Sequence, residues 1–287
     1  MIRPRPRSIL ITGASSGIGA ALARHYAAPG VTLFLGGRNR DRLTAVASAC
    51  GRLEAVADDC TERGASVHIR LGDVTDSQAM RNWVVDADTQ VPLNLVIANA
   101  GAGLGAVDLA GLHDAAMDSF AVNVAGIFNV IHPAIERMGL RGPKVADGQI
   151  AIMSSIMGYM GIARSPAYSF SKGSARLYGQ ALRGALRKTG IGVSVICPGY
   201  VDTPLNQYNT SPMPFMVSAE EAAETIAQGL AKNRGRITFP WQIRLIGRIG
   251  LCLPNALLDR LNFPWGRPPL EAPGPVPNQD TDTNAPS

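Results

Sequence analysis

Cysteine, charge and long apolar runs are all scarce in this sequence. Only four cysteines occur in 287 residues (Cys50, Cys60, Cys197 and Cys252), and they show neither disulfide nor metal-ligand spacing. This favours a reduced, cytoplasmic protein without a metal site. Charged residues make up 17% of the chain and the net charge is +5, far from the dense basic surface of a nucleic-acid-binding protein. We therefore expect a small-molecule ligand rather than a nucleic acid.

The sequence also lacks a membrane span and a secretory signal. No run of about 18 uncharged apolar residues occurs, which argues against a spanning helix. The basic N-terminus, Met1–Arg7, leads directly into a strand-like segment rather than into the apolar stretch of a signal peptide. What the chain does have is 46% apolar residues, enough for the core of one sizeable domain.

Short apolar runs alternate with longer amphipathic ones along the chain. The predicted strands are Ser8–Thr12, Val31–Leu35, Ser66–Leu71, Leu93–Ala98, Gln149–Met153, Ile191–Cys197 and Arg236–Phe239. The predicted helices are Gly17–Ala28, Asp41–Arg63, Asp76–Ala87, Leu112–Met138, Tyr168–Lys188 and Ala219–Asn233. Continuously apolar strands between helices predict an α/β fold, a Rossmann-type doubly wound parallel sheet of seven strands in a single domain. Ligands of such sheets bind beyond the carboxyl ends of the strands.

A glycine-rich loop follows the first strand and leads into a helix. Gly13 permits a tight turn, and Gly17 and Gly19 let the backbone approach a pyrophosphate at the positive end of the helix. The predicted cofactor contacts here are Gly13, Ser15, Ser16, Gly17, Ile18 and Gly19. The spacing is Gly-x3-Gly-x-Gly rather than the commonest dinucleotide pattern, so an ordinary glycine-rich turn is the alternative.

This loop resembles the cofactor loop of the short-chain dehydrogenase/reductase family, in the form found in its shorter members. The resemblance extends over residues 8–240 and implies an NAD(P)-dependent oxidoreductase. Residues after three further strands resemble the family's other cofactor contacts: Asp73 and Val74; Asn99, Ala100 and Gly101; and Pro198, Gly199, Val201 and Thr203. Each could instead serve only to end a strand or form a turn.

Tyr168 and Lys172 are four residues apart on a predicted helix and so share one face. The ammonium and an oxidised nicotinamide would both favour the phenolate, and a shift of about 3 pKa units would need ~4 kcal/mol. Ser155 follows the fifth strand, where the resemblance implies the catalytic serine that binds the substrate oxygen. The resemblance also assigns Asn123 to a water-mediated proton relay that reaches Lys172. The predicted catalytic set is Asn123, Ser155, Tyr168 and Lys172, and the last two also contact the cofactor.

The residues after the second strand favour NADP(H) over NAD(H). An NAD site usually has a carboxylate here for the ribose hydroxyl, whereas this sequence has Arg38 and no acid until Asp41. A guanidinium can pair with a 2′-phosphate. The alternative is that Arg38 is a solvated surface charge.

The substrate is predicted only as a secondary alcohol or ketone. The loop Pro204–Val217 carries Tyr208, Met213, Phe215 and Met216, which either contact an apolar substrate or pack the loop on the core. One alternative is a non-catalytic NADP-binding scaffold or sensor. Another, suggested by the resemblance, is a membrane-peripheral reductase of envelope polysaccharide or lipid metabolism. We expect a homo-oligomer, either a dimer or a tetramer.

The C-terminal part has a different composition. Residues 241–266 are hydrophobic and basic, and residues 267–287 are Pro-rich and typical of a disordered tail. Residues 241–263 have the composition of a helix that lies on a membrane surface. Alternatively, they cover the substrate cleft or a subunit interface.

Overall fold

The computed structural model describes residues 5–37, 43–103, 111–142, 148–163, 165–206, 212–254, 256–257 and 260, with no side chains described for 43–52. Arg38, Tyr208 and the segment 267–287 lie outside the described residues. The predictions made for them therefore stay predictions.

A seven-stranded parallel sheet forms the centre of the molecule, in the order β3-β2-β1-β4-β5-β6-β7. The strands are β1 (Ser8–Thr12), β2 (Thr32–Gly37), β3 (Ser66–Leu71), β4 (Leu95–Ala98), β5 (Gln149–Met153), β6 (Gly192–Pro198) and β7 (Arg236–Phe239). The chain reverses direction across the sheet between β1 and β4, as in a doubly wound fold. The predicted Rossmann-type sheet is confirmed.

Eight helices flank the sheet in the described part of the chain. They are α1 (Gly17–Tyr26), α2 (Leu43–Glu62), α3 (Ser77–Gln90), α4 (Leu112–Phe120), α5 (Gly126–Gly139), α6 (Pro166–Ala185), α7 (Ala219–Ala231) and α8 (Trp241–Gly250). Among the described residues, no helix combines the length and the apolar character that crossing a membrane would require.

Two apolar cores lie on opposite faces of the sheet because successive strand residues point to opposite sides. Ile9 and Ile11 of β1 point into the core beneath α1 and α7, whereas Leu10 points into the core beneath α3 and α5. All five residues of β1 are buried. Helices on both faces therefore account for the continuously apolar central strands.

The predicted elements differ from the structure in two respects. The strand predicted at Ser66–Leu71 is confirmed as β3, but it lies at the edge of the sheet and is largely exposed rather than buried. The helix predicted over Leu112–Met138 is interrupted by a π-helical turn, Ala121–Ala125, between α4 and α5. Other boundaries shift by a few residues; α6, for example, begins at Pro166 rather than at Tyr168.

Candidate active site

The glycine loop forms a tight cradle at the carboxyl end of β1. Gly13 and Gly17 have φ angles of 65° and 54°, in the left-handed region that favours glycine. A Cβ atom at Gly19 would lie 2.2 Å from the carbonyl oxygen of Gly13. Ser16, at the N-cap of α1, makes no side-chain capping hydrogen bond. The loop thus leaves the first backbone N–H groups of α1 free of a side-chain cap and leaves space beside Gly19 only for hydrogen.

The residues after β4 hold this loop in place. Asn99 Nδ2 donates to the carbonyl oxygens of Thr12 and Gly13, at 3.0 and 3.1 Å. In return, Thr12 Oγ1 accepts hydrogen bonds from the backbone N–H groups of Asn99 and Ala100. Asn99 is therefore occupied in fixing the loop, and Ala100 packs against Gly13. Sequence reasoning missed Thr12 as the partner in this arrangement, although it lies within the predicted motif.

The residues after β3 and β6 lie at the same edge of the sheet as the glycine loop. Asp73 Oδ1 accepts hydrogen bonds from the N–H and the hydroxyl of Thr75, both at 2.9 Å. Asp73 therefore forms a local turn, which was the alternative to a cofactor contact. Val74 is buried, and a Cβ atom at Gly126 would lie 2.6 Å from its side chain. Thr203 packs against Gly17, since a Cβ atom there would lie 2.9 Å from Thr203 Cγ2.

Pro198, Gly199 and Val201 lead from β6 towards Thr203. Pro198 is the last residue of β6, and Val201 forms an isolated parallel bridge with Val217. Gly199 donates its N–H to the carbonyl oxygen of Phe239 at 2.8 Å and packs against Ile243 of α8. On this side, Gly199 therefore contacts helix α8.

Tyr168, Lys172 and Ser155 meet at the carboxyl end of β5. The Lys172 ammonium nitrogen lies 5.7 Å from the centre of the Tyr168 ring and 3.3 Å from the carbonyl oxygen of Met153. Ser155 is buried and hydrogen-bonds with Tyr168. Its hydroxyl also accepts from the N–H of Met157 at 3.2 Å, at the start of a short 3-10 turn, Ile156–Gly158. A serine, a phenol and an ammonium thus share one site.

Asn123 lies in the π-helical turn and is fully buried. Its amide group forms a reciprocal pair with the backbone of Ala102, both hydrogen bonds being 2.9 Å long. Asn123 Nδ2 also donates to Ser171 Oγ on α6 at 3.1 Å. A Cβ atom at Gly101 would lie 3.1 Å from both Asn123 Oδ1 and Lys172 Nζ, so these two polar atoms face the same glycine.

Comparison with known proteins identifies the family of this chain. The family model of the short chain dehydrogenases matches residues 7–214. An uncharacterized oxidoreductase of Myxococcus xanthus is 32% identical over 88% of this chain and 95% of its own length. The fold also resembles those of solved structures, including the following two. A short-chain dehydrogenase from Sphingobium yanoikuyae in complex with NADPH has a TM-score of 0.69 and 22% identity, covering 85% of this chain and 94% of that one. A 3-ketoacyl-ACP reductase from Sinorhizobium meliloti has a TM-score of 0.66 and 27% identity, covering 81% and 96%.

The chain belongs to the short-chain dehydrogenase/reductase family. It is therefore an NAD(P)-dependent oxidoreductase, as its sequence predicts.

Burial shifts the pKa values of Tyr168 and Lys172 in this dehydrogenase/reductase. It raises the pKa of the Tyr168 phenol above its ordinary value, and the hydrogen bond with Ser155 lowers that pKa by a smaller amount. It lowers the pKa of the Lys172 ammonium to about 8. The residues around Tyr168 thus disfavour its phenolate, in the opposite direction to the shift expected once a positively charged nicotinamide is beside it.

Sequence reasoning missed several residues that position helix α6, which carries Tyr168 and Lys172. Ser154 Oγ donates to the carbonyl oxygen of Lys172 at 2.7 Å. Gly158 lies against the same peptide, since a Cβ atom there would be 2.6 Å from the Lys172 carbonyl carbon. Ser171 accepts from Asn123, as described above. A serine or a glycine near a motif is too common to signal such a role before the tertiary contacts are known.

Proposed function

We propose that this enzyme transfers a hydride between NADP(H) and a secondary alcohol or ketone, with Tyr168 as the general acid/base. The observation that carries the proposal is the meeting of Ser155, Tyr168 and Lys172 at the carboxyl end of β5. The hydroxyl of Ser155 hydrogen-bonds with Tyr168, and the Lys172 ammonium lies over its ring at 5.7 Å from the centroid.

The glycine cradle supports binding of the dinucleotide. The space beside Gly19 excludes even a methyl group, and α1 begins without a side-chain cap, so its N–H groups can receive a pyrophosphate. Gly13, Ser15, Ser16, Gly17, Ile18 and Gly19 would hold this group. Gly101, Lys172 and Thr203 would lie along the rest of the cofactor. When bound, NADP(H) supplies or accepts the hydride.

Each catalytic side chain has a distinct task in ketone reduction. Ser155 donates a hydrogen bond to the carbonyl oxygen as negative charge develops there. Tyr168 delivers its phenolic proton to that oxygen. Lys172 would hold the ribose of the bound cofactor and would stabilise the phenolate electrostatically. Asn123 fixes the backbone at Ala102 and anchors the water through which a proton returns to Tyr168.

Tyr168→Phe tests this assignment. We expect turnover to fall by about 10²–10⁴-fold because the proton donor is lost, while NADPH binding stays nearly intact. Turnover is measured as NADPH oxidation with a panel of ketones, and binding as quenching of protein fluorescence. Tyr178→Phe is the matched control, since Tyr178 lies on the same helix and pairs with His132 at 2.7 Å. Turnover by Tyr168→Phe near the wild-type rate would remove Tyr168 from the mechanism. A wild-type protein that binds NADPH but oxidises it with none of the ketones would instead favour the non-catalytic alternative.

The preference for NADP(H) rests on Arg38, which can pair with a 2′-phosphate, and on the lack of an acid before Asp41. The solved relative from Sphingobium yanoikuyae contains NADPH. The kcat/KM values for NADPH and NADH, measured in parallel with one ketone, decide the preference. Higher kcat/KM with NADH would contradict it.

The exposed apolar side chains near the site favour a substrate with hydrophobic surface. Phe215 and Met216 of the loop Pro204–Val217 are about half exposed rather than packed on the core. They are thus available to contact a ligand.

We also propose that the protein is a homo-oligomer. Four apolar side chains form an exposed face on the adjacent helices α4 and α6: Met117, Phe120, Phe170 and Leu177. The rings of Phe120 and Phe170 stack with their centres 6.4 Å apart. An apolar face of this kind favours association between subunits.

A further inference from the structure

The helix α8 is apolar on two sides. Its buried side holds Ile243, Gly247 and Gly250, which pack against Gly199 and the segment 156–160 beside Ser155. This packing agrees with the interpretation of α8 as a cover for the substrate cleft. Its outer side also carries large apolar residues that are about half exposed or more: Trp241, Leu245, Ile246, Ile249 and Leu251. Trp241, Leu245 and Ile249 are spaced four residues apart and therefore form one stripe.

A row of positive charge runs beside this stripe. Arg244 and Arg248, one turn apart on α8, line a pocket of about 240 Å³ together with Arg234 and Arg236. The other lining residues are Tyr159, Thr225, Ile237 and Thr238, so no carboxylate lines the pocket. None of the four arginines forms an ion pair with another described residue. Four guanidinium groups around one cavity therefore lack a counter-charge within the described structure.

We propose that α8 and this arginine pocket bind the surface of an anionic phospholipid bilayer. The stripe of Trp241, Leu245 and Ile249 would enter the boundary between headgroups and acyl chains, where tryptophan is favoured. The four arginines would pair with lipid phosphates, which a guanidinium binds through two parallel hydrogen bonds.

The charge distribution argues against a second copy of the chain as the occupant. In a symmetric pair, this surface would face itself and bring arginines of the two subunits together. No carboxylate lines the pocket that could pair with these arginines and offset their mutual repulsion across such an interface. An anionic bilayer instead offers an apolar layer and negative charge side by side, in the same arrangement as the stripe and the pocket.

The experiment is sedimentation of the full chain with phosphatidylcholine vesicles, prepared with and without phosphatidylglycerol. We expect binding to the anionic vesicles that weakens as salt is added. Each arginine near the surface contributes about a five-fold change in partitioning, so Arg244→Gln with Arg248→Gln should reduce binding about 25-fold. The pair Arg63→Gln and Arg81→Gln removes the same charge from exposed ion-paired arginines elsewhere and should bind nearly like the wild type.

A second pair of variants tests the apolar stripe. Trp241→Ser with Leu245→Ser should reduce binding to anionic vesicles, whereas Leu140→Ser, at a side chain that is 78% exposed after α5, should not. NADPH binding in solution checks that every variant is folded. It tests the proposed cofactor site independently of vesicle binding.

Three outcomes would overturn the inference. The wild type could bind neutral and anionic vesicles equally, or not at all. The variants of α8 could bind as tightly as their controls. Finally, light scattering could show that Trp241→Ser with Leu245→Ser reduces the mass of the particle in solution, which would make this face a subunit interface.

Discussion

Burial at the centre of the site disfavours the charged form of Lys172. Its side chain is only 3% exposed, and burial lowers its pKa from 10.5 to about 8. A shift of that size corresponds to about 3 kcal/mol of differential free energy between the two protonation states. The unfolded chain therefore binds this proton more tightly than the folded chain does. Below pH 8 the folded protein carries the full penalty of a buried ammonium.

Replacing Lys172 by Met should remove this penalty. At pH 7 we expect Lys172→Met to unfold with a free energy higher by up to about 3 kcal/mol, while turnover is lost. The advantage should shrink as pH rises from 8 to 10.5, because the wild-type lysine becomes neutral in the folded state and its stability recovers. Urea unfolding at pH 7 and at pH 10 measures both differences.

The exposed Lys188, just beyond α6, provides the control. Lys188→Met should change the unfolding free energy little, and by a similar amount at both pH values. If the difference between wild type and Lys172→Met were the same at pH 7 and pH 10, burial of a charged lysine would not be its cause.

At the scale of elements, the site depends on how closely the loops meet. A Cβ atom at Gly19 would meet the backbone oxygen of Gly13 at 2.2 Å and Asn99 Nδ2 at 2.6 Å. A rigid backbone oxygen cannot move away as the end of a flexible side chain can. Because Gly19 has no side chain, the start of α1 can approach the residues that follow β1 and β4 this closely.

Gly19→Ala should separate these elements. We expect weaker NADPH binding, because the backbone N–H groups at the start of α1 move, and a loss of about 1–3 kcal/mol in unfolding free energy through overpacking. Fluorescence titration and urea unfolding measure the two effects. Gly184→Ala is the control, since this exposed residue in α6 has nothing within 4 Å of an added Cβ atom. It should gain about 0.5–1 kcal/mol, and an equal loss in both variants would contradict the explanation.

The π-helical turn is the second feature at this scale. A π-turn contains one more residue than an α-helical turn and is often found at functional sites. Here it contains Asn123, whose amide reaches both Ala102 and Ser171. This turn connects the segment after β4 to α6, which carries Tyr168 and Lys172.

At the scale of the whole molecule, two exposed apolar surfaces differ in charge. The face on α4 and α6 is formed by Met117, Phe120, Phe170 and Leu177, whereas the stripe on α8 lies beside four arginines. The four side chains that form the face on α4 and α6 are uncharged, so this face can pair with a copy of itself. We therefore propose the first surface for subunit association and the second for a lipid surface.

Leu177→Glu should break the oligomer. Its side chain is 60% exposed on α6, and a carboxylate there would have to be buried, together with its symmetry copy, in a dimer interface. We expect light scattering to give a multiple of the 30.2 kDa chain mass for the wild type and the monomer mass for the variant. Leu140→Glu, at an exposed position outside this face, should leave the mass unchanged. Equal masses for wild type and Leu177→Glu would exclude this face as the interface.

Local patterns were enough to predict much of this protein. The apolar runs predicted the central strands, because strands buried beneath helices must be apolar along their whole length. The edge strands β3 and β7 were also predicted, although both are partly exposed. The glycines after β1 and the spacing of Tyr168 and Lys172 on one helix face predicted the region of the site. Both signals arise from contacts within a few residues of the chain.

Only the tertiary structure decided what depends on residues far apart in sequence. It assigned Asn99 to the glycine loop, placed Asn123 in a π-turn rather than a regular helix, and raised the pKa of Tyr168 through burial. It also brought arginines from β7 and α8 around one pocket. Burial and electrostatic fields arise from the packing of several elements around a residue, so a local pattern of residue types does not contain them.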